Sequence, residues 1–260
     1  MKYTKMILAS ATLLLILGLL GVLSLDVDSQ TDDRHSRKSE DSNFPTVSFA
    51  DRSMASEDSV SPELRRRRND KFTGSGWVRS TVSEDTKFVF LNNHWQQGLS
   101  ALPVDKSDVV VVATVNTAGA FLSGDRTGVY SEFQADVVEI YKNDLQSSLR
   151  TSDSVSLHCA GGKVHYPDGP SVTYVVRGQD MPRVGGTYVF FLVSDIERSS
   201  YYILTAYEIR GEKIATLDGL RGDEKAGWVF QKLNGTSRID FDRLLRSEVT
   251  SKSHKGEKNQ

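Results

Sequence analysis

Residues 108–115, Asp108-Val-Val-Val-Val-Ala-Thr-Val115, decide the fold. The run is apolar at odd and even positions alike and is dominated by β-branched side chains. That composition marks a short strand covered on both faces rather than a half-exposed strand or an amphipathic helix. A strand covered twice needs neighbours on either side, so the flanking sequence is read for more strands.

Downstream, Gly119 to Gly128 reads as a connecting loop with Ser123-Gly124-Asp125 as its turn. Val129 to Tyr141 reads as a long strand. Phe133, Ala135 and Val137 share one face, then Val138 and Ile140 take over the apolar phase, which is what a β-bulge produces. Long, bulged strands curl a sheet into a small barrel. Val155, Leu157 and Cys159 alternate with Ser156 and His158. Turns at Gly161-Gly162 and Pro167-Asp168-Gly169-Pro170 separate Val164/Tyr166 from Val172/Tyr174/Val176. Thr187 to Val193 is apolar on both faces, and Tyr201–Ile209 with Lys213–Leu217 forms a hairpin around Arg210-Gly211-Glu212. Short strands without long helical patterns between them define an all-β domain over 108–219. A C-terminal extension, 220–249, carries one helix: Phe241, Leu244, Leu245 and Val249 share a face, with Ser237 or Asp240 as cap. Residues 250–260 are a disordered polar tail.

Upstream, residues 71–107 are transitional. Trp77, Phe88 to Leu91 and His94-Trp95 suit a segment that packs onto the domain, and Leu102-Pro103 leads into the first strand. Residues 26–70 are rich in Asp, Ser, Arg and Glu and bury too little apolar surface to offset ordering, so they are expected to be a disordered stalk. Within it, Arg65 to Arg68 follow Pro62-Glu63-Leu64 and read as a solvated segment or a short frayed helix; contact with an anionic envelope surface and a processing site are the functional alternatives. Residues 1–25 carry Lys2 and Lys5 ahead of an unbroken apolar run, Met6 to Leu25. About 20 residues at 1.5 Å rise span roughly 30 Å, a bilayer core. The segment is a signal anchor, or a signal peptide cleaved after Val22-Leu23-Ser24; either way the bulk of the chain is exported.

The chain holds 32 basic and 34 acidic residues, a balance that favours neither nucleic acid nor an anionic surface as obligate partner. One cysteine, Cys159, excludes an internal disulfide framework.

The strands of 108–115, Phe133-Gln-Ala-Asp-Val-Val-Glu-Ile-Tyr-Lys142 and Val184-Gly-Gly-Thr-Tyr-Val-Phe-Phe-Leu192, taken in order, resemble the OB-fold modules of netrin-like domains and the tissue inhibitors of metalloproteinases. The stretch 102–219, with Asp125-Arg-Thr-Gly-Val-Tyr-Ser-Glu-Phe133, also resembles uncharacterised exported bacterial proteins. The resemblance implies an OB-like or netrin-like barrel. It does not carry protease inhibition, because the inhibitors use a Cys-x-Cys N-terminus that this chain lacks.

Four groups of residues are weighed for chemistry. Cys159 with His165 and Asp168 suggests a nucleophile, base and orienting acid, but alternation puts Cys159 on the core face and His165 outside. His158, Cys159 and His165 suggest metal ligands, but adjacent residues of a strand point to opposite faces. Ser123, Asp125 and Thr127 lack the carboxylates of a calcium loop. Asn234-Gly235-Thr236 matches a glycosylation sequon and is also a good turn. No catalytic, cofactor or metal residue is therefore assigned. Tyr130, Tyr166, Tyr174, Tyr188, Tyr201, Tyr202 and Tyr207 are numerous for one domain; they serve as cross-strand pairs or, on an OB-type barrel, as an aromatic binding face. The expectation is an exported, membrane-tethered, non-enzymatic envelope module that binds a protein or glycan and no nucleic acid. An enzyme with an unrecognised site and a purely structural or assembly role are the alternatives.

Overall fold

A computed structural model describes residues 44–49, 60–74, 78–81, 87–91, 98–145, 149–167, 169–219 and 228–256. The chain divides into Met1–Asn43 and Phe44–Gln260. The first unit lies outside the described residues, and with it the anchor or signal helix expected over 1–25. No helix among the described residues is long and apolar enough to cross a membrane.

The described residues of the second unit are mostly β. The double-faced apolar run becomes β4 (Val109–Leu122), with β5 (Val129–Asn143) antiparallel on one side and β9 (Thr187–Asp195) on the other. Next to β5 comes β6 (Ser154–Ala160), and beyond it β10 (Ser200–Arg210) with its hairpin partner β11 (Lys213–Thr216). The sheet bends until β9 also pairs with β10. Closure is incomplete: β10 meets β6 in parallel over only Tyr201↔Leu157 and Tyr202↔His158. The bend comes from register shifts along β4/β5, one of which skips Val138 and moves the inward phase from Val137 to Ile140. Val138 itself is exposed, so the expected phase change is real but Val138 is its hinge and not a core residue.

Both faces of β4 are covered, for different reasons. Val109, Val111, Ala113 and Val115 point into the sheet's concave side with Phe133, Leu157, Cys159, Phe190 and Ile203. Val110 and Val112 pack outside with Phe191, Tyr207 and Ile214 beneath α2 (Trp228–Gln231) and α3 (Arg238–Gly256). Phe241 and Leu245 supply the buried stripe of α3, and the Ser237 hydroxyl accepts the Asp240 amide, so Ser237 is the cap. Leu244, expected on that stripe, is exposed.

A second sheet is assembled from distant pieces of chain. The hairpin β7 (Gly162–His165)/β8 (Val172–Val176) takes β1 (Thr46–Ser48) in parallel on β7 and β3 (Lys87–Leu91) in parallel on β8; β2 (Val78–Thr81) pairs outside β3. Two sequence expectations change here. The connecting loop placed over Gly119 to Gly128 shrinks to Ser123–Gly128, because β4 runs on to Leu122. The disordered stalk placed over 26–70 does not extend to its described residues, which form β1 and a helix, α1 (Pro62–Lys71).

Candidate functional site: an arginine helix on an acidic and aromatic face

Helix α1 forms for local reasons. Ser61 caps it, its hydroxyl accepting the Leu64 amide at 3.3 Å. Pro62 opens the first turn, Glu63 sits near the positive end of the dipole, and Arg68 and Lys71 sit near the negative end. No apolar stripe runs along α1, so hydrophobic burial along the helix does not dock it. Charge does, with Phe72 as the apolar contact where it ends.

Arg65 grips Glu132 of β5 with both guanidinium nitrogens, at 2.6 and 3.1 Å, and donates to the Tyr130 hydroxyl at 2.8 Å. Its guanidinium lies 3.6 Å from the centre of the Phe121 ring. Arg68 donates to Oε2 of Glu132 at 2.9 Å, the oxygen that Arg65 bonds at 3.1 Å, and to the backbone carbonyls of Arg198 and Ser199. Ser199 holds a left-handed φ of 47°, a costly conformation for a side chain with a Cβ, at the corner where those carbonyls meet Arg68. Lys71 donates to Asp195 at 2.6 Å and to Nε2 of His158 at 2.7 Å. Asn69 accepts the Tyr130 hydroxyl proton at 2.7 Å, and Phe72 stacks on Tyr130 with ring centres 4.4 Å apart.

The Arg68–Glu132 side chains are only 5% and 7% exposed. A charge pair that deep is costly to assemble and very costly to break, because removing one partner strands the other. His158 is pushed down to about 3, first by burial and then by the charge of Lys71. Because Lys71 donates to Nε2, the ring proton belongs on Nδ1, which is buried and finds no acceptor among the described residues. Burial also lowers Lys71, against the pull of Asp195. For Asp195 burial acts upward, but hydrogen bonds from Lys71 and Arg198 hold it below the usual carboxylate range.

The residues weighed from sequence fall elsewhere or play different parts. Cys159 and His158 do point to opposite faces: Cys159 lies in the concave core, where burial pushes its thiol up, while His158 faces α1. His165 is exposed and pairs with the Ser171 hydroxyl. Asp168 lies outside the described residues. Asp125 accepts from Ser123, Thr127 and Gly74, which builds the β4–β5 turn against the end of α1. The Asn234 side chain accepts the Thr216 amide, a structural use of the sequon. Among the tyrosines, Tyr188 and Tyr207 are core, Tyr166 and Tyr174 pair hydroxyl to hydroxyl at 3.1 Å, and Tyr130 and Tyr202 belong to the face under α1. No group of three metal-ligating side chains occurs among the described residues.

The reading of Arg65 to Arg68 as solvated is corrected by the structure. Arg66 and Arg67 are exposed, but Arg65 and Arg68 are the main links of α1 to the sheet. The signal was the cap, Ser61-Pro62-Glu63, followed by cations three residues apart, paired with polar residues at the outward positions Glu132 and His158. Chemically the face suits cation recognition: two carboxylates, a neutral imidazole and ring faces. With its ring pushed down to about 3, His158 stays neutral at neutral pH and serves here as the acceptor for Lys71. No protein-family model and no curated protein matches the chain.

Proposed function

We propose that this chain is an exported, membrane-tethered, non-enzymatic module whose β domain is an OB-like barrel of the netrin-like kind and whose β5–β6 face binds a protein segment. The ring of pairings β4–β5–β6–β10–β9–β4, narrow at β6–β10, supports the barrel assignment, since OB-type barrels are five-stranded and partly open. The apolar run at Met6 to Leu25 supports export and tethering. One observation carries the binding reading: Glu132, Asp195, His158, Tyr130 and Phe121 form a face whose carboxylates are matched by a helix bearing Arg65, Arg68 and Lys71. A neutral glycan is less suited, because it brings no cation to match Glu132 and Asp195.

The test uses the full chain with Arg65→Ala, Arg68→Ala and Lys71→Ala, which loosens the resident helix. A labelled synthetic peptide of residues 61–73 is titrated by fluorescence anisotropy. Saturable binding that weakens at least ~10-fold on adding Glu132→Gln, and weakens with salt, is expected, because hydrogen bonds to charged groups contribute about 1.5–3 kcal/mol each. Binding that ignores Glu132→Gln would remove the reading.

A further inference from the structure

We propose that the partner of this face is a second copy of the same chain, which delivers its own α1 by exchanging the N-terminal arm, residues 44–91. This rests on the binding reading above and names the occupant.

The arm comprises β1, α1, β2 and β3. Its described contacts with the rest of the chain reach far along the sequence. Thr46 pairs with Lys163 and Lys87 with Val172; Arg65 reaches Glu132, and Lys71 reaches His158 and Asp195. Both strand pairings are parallel, so no tight hairpin obliges the arm to dock on its own domain. No disulfide fixes it, because the single cysteine lies in the core. An arm from another copy can make every one of these contacts unchanged, which is what makes exchange a low-cost route to a dimer.

The face also reads a pattern. Arg-x-x-Arg-x-x-Lys occurs once in the 260 residues, at Arg65, Arg68 and Lys71. The segment of known sequence that fits the two carboxylates is therefore α1 itself, and a second copy supplies it in the right frame with β1 and β3 attached. Between the arm's last strand residue, Leu91, and Leu99, which packs against the outer apolar cluster, lie seven residues. Fully extended, that connection reaches roughly 27 Å, enough for an arm to pass to a neighbour.

The described contacts are the same in both forms, so concentration tips the balance between them. A short connection gives the resident arm an effective concentration on the order of mM. Exchange is therefore rare in dilute solution and grows as copies are crowded, as they are when tethered to one membrane.

The experiment traps the β1–β7 pairing in the full chain. Thr46→Cys and Lys163→Cys, partners across the two strands, are introduced with Cys159→Ala so that only the new pair can bridge. The protein is refolded from denaturant over a range from about 10 μM to about 1 mM, then oxidised and run without reductant. A disulfide-linked dimer whose share rises with concentration is expected, with a matching dimer for the unaltered chain by native mass spectrometry. Bridged monomer alone, with the unaltered chain monomeric throughout, overturns exchange. If the 61–73 peptide still binds in that case, the face keeps its binding role and only the second copy is wrong. If the peptide fails too, both readings fall together.

Discussion

Glu132 is the residue on which α1 turns. It accepts from Arg65 and Arg68 at once, and both carboxylate oxygens are used. Glu132→Ala leaves the buried Arg68 without a counter-charge, held only by the Arg198 and Ser199 carbonyls, and a loss of about 3–5 kcal/mol by urea denaturation is the expected outcome. Asp218 is the second decisive residue. Complete burial, first of all, lifts it from 3.8 to about 8, although the Thr205 hydroxyl and the Asp180 amide donate to it. A carboxyl raised by folding favours the native state fully below its unfolded value, and that contribution is lost as pH rises through the folded value. Stability should therefore fall between pH of about 4 and about 8, and Asp218→Asn should flatten the fall; urea midpoints at pH about 5 and about 9 decide it. Gly161 is fixed for steric reasons. Its φ is +109°, and a Cβ there would sit 2.7 Å from both the Met181 methyl and the Tyr174 carbonyl oxygen. Gly161→Ala should cost at least about 1–3 kcal/mol in the same measurement, since both strain and overlap are introduced.

The elements divide into those held by apolar surface and those held by charge. The first kind was legible in the sequence: β4 announced two covered faces, the β10–β11 hairpin fell around Gly211, and α3 showed Phe241 and Leu245 on one face, though with Leu244 wrongly beside them and the cap open between Ser237 and Asp240. Helix α1 was not legible, because an apolar period is the usual signature of a docked helix and α1 has none. Its partners are polar side chains on strands more than 60 residues away, and no local pattern encodes that pairing. The candidate face stayed hidden for the same reason. The contrast predicts different responses to salt. Hydrogen exchange at ~1 M NaCl should quicken at the C-terminal end of α1 while α3 stays protected, because the half-buried Lys71–Asp195 pair is screened and buried Phe241 is not.

At the scale of the molecule, the bent sheet and the hairpin sheet share strands' ends rather than forming separate bodies: Gly161 and Gly162 carry β6 directly into β7. The overall β character and the C-terminal helix could be read from alternation. The partnership of β9 with both β4 and β10 could not, because pairing between distant strands leaves no mark in either strand alone. Cys159 reports on the whole. It lies in the core between β5 and β10, so a thiol reagent should label it only as fast as the molecule unfolds globally; rapid labelling of the native protein would show that the concave core opens on its own.

The parallel seating of β1 on β7 also sets a timetable for biosynthesis. Thr46 is made early, but its partner Lys163 follows about 120 residues later, which at 5–20 residues per second is roughly 6–24 s. During that interval β1 has no strand to pair with, although Glu132, the partner of Arg65 and Arg68, is made before it ends. Strand β1 is thus synthesised well before its seat, and the nascent chain must keep it unclaimed until the hairpin that receives it has been made.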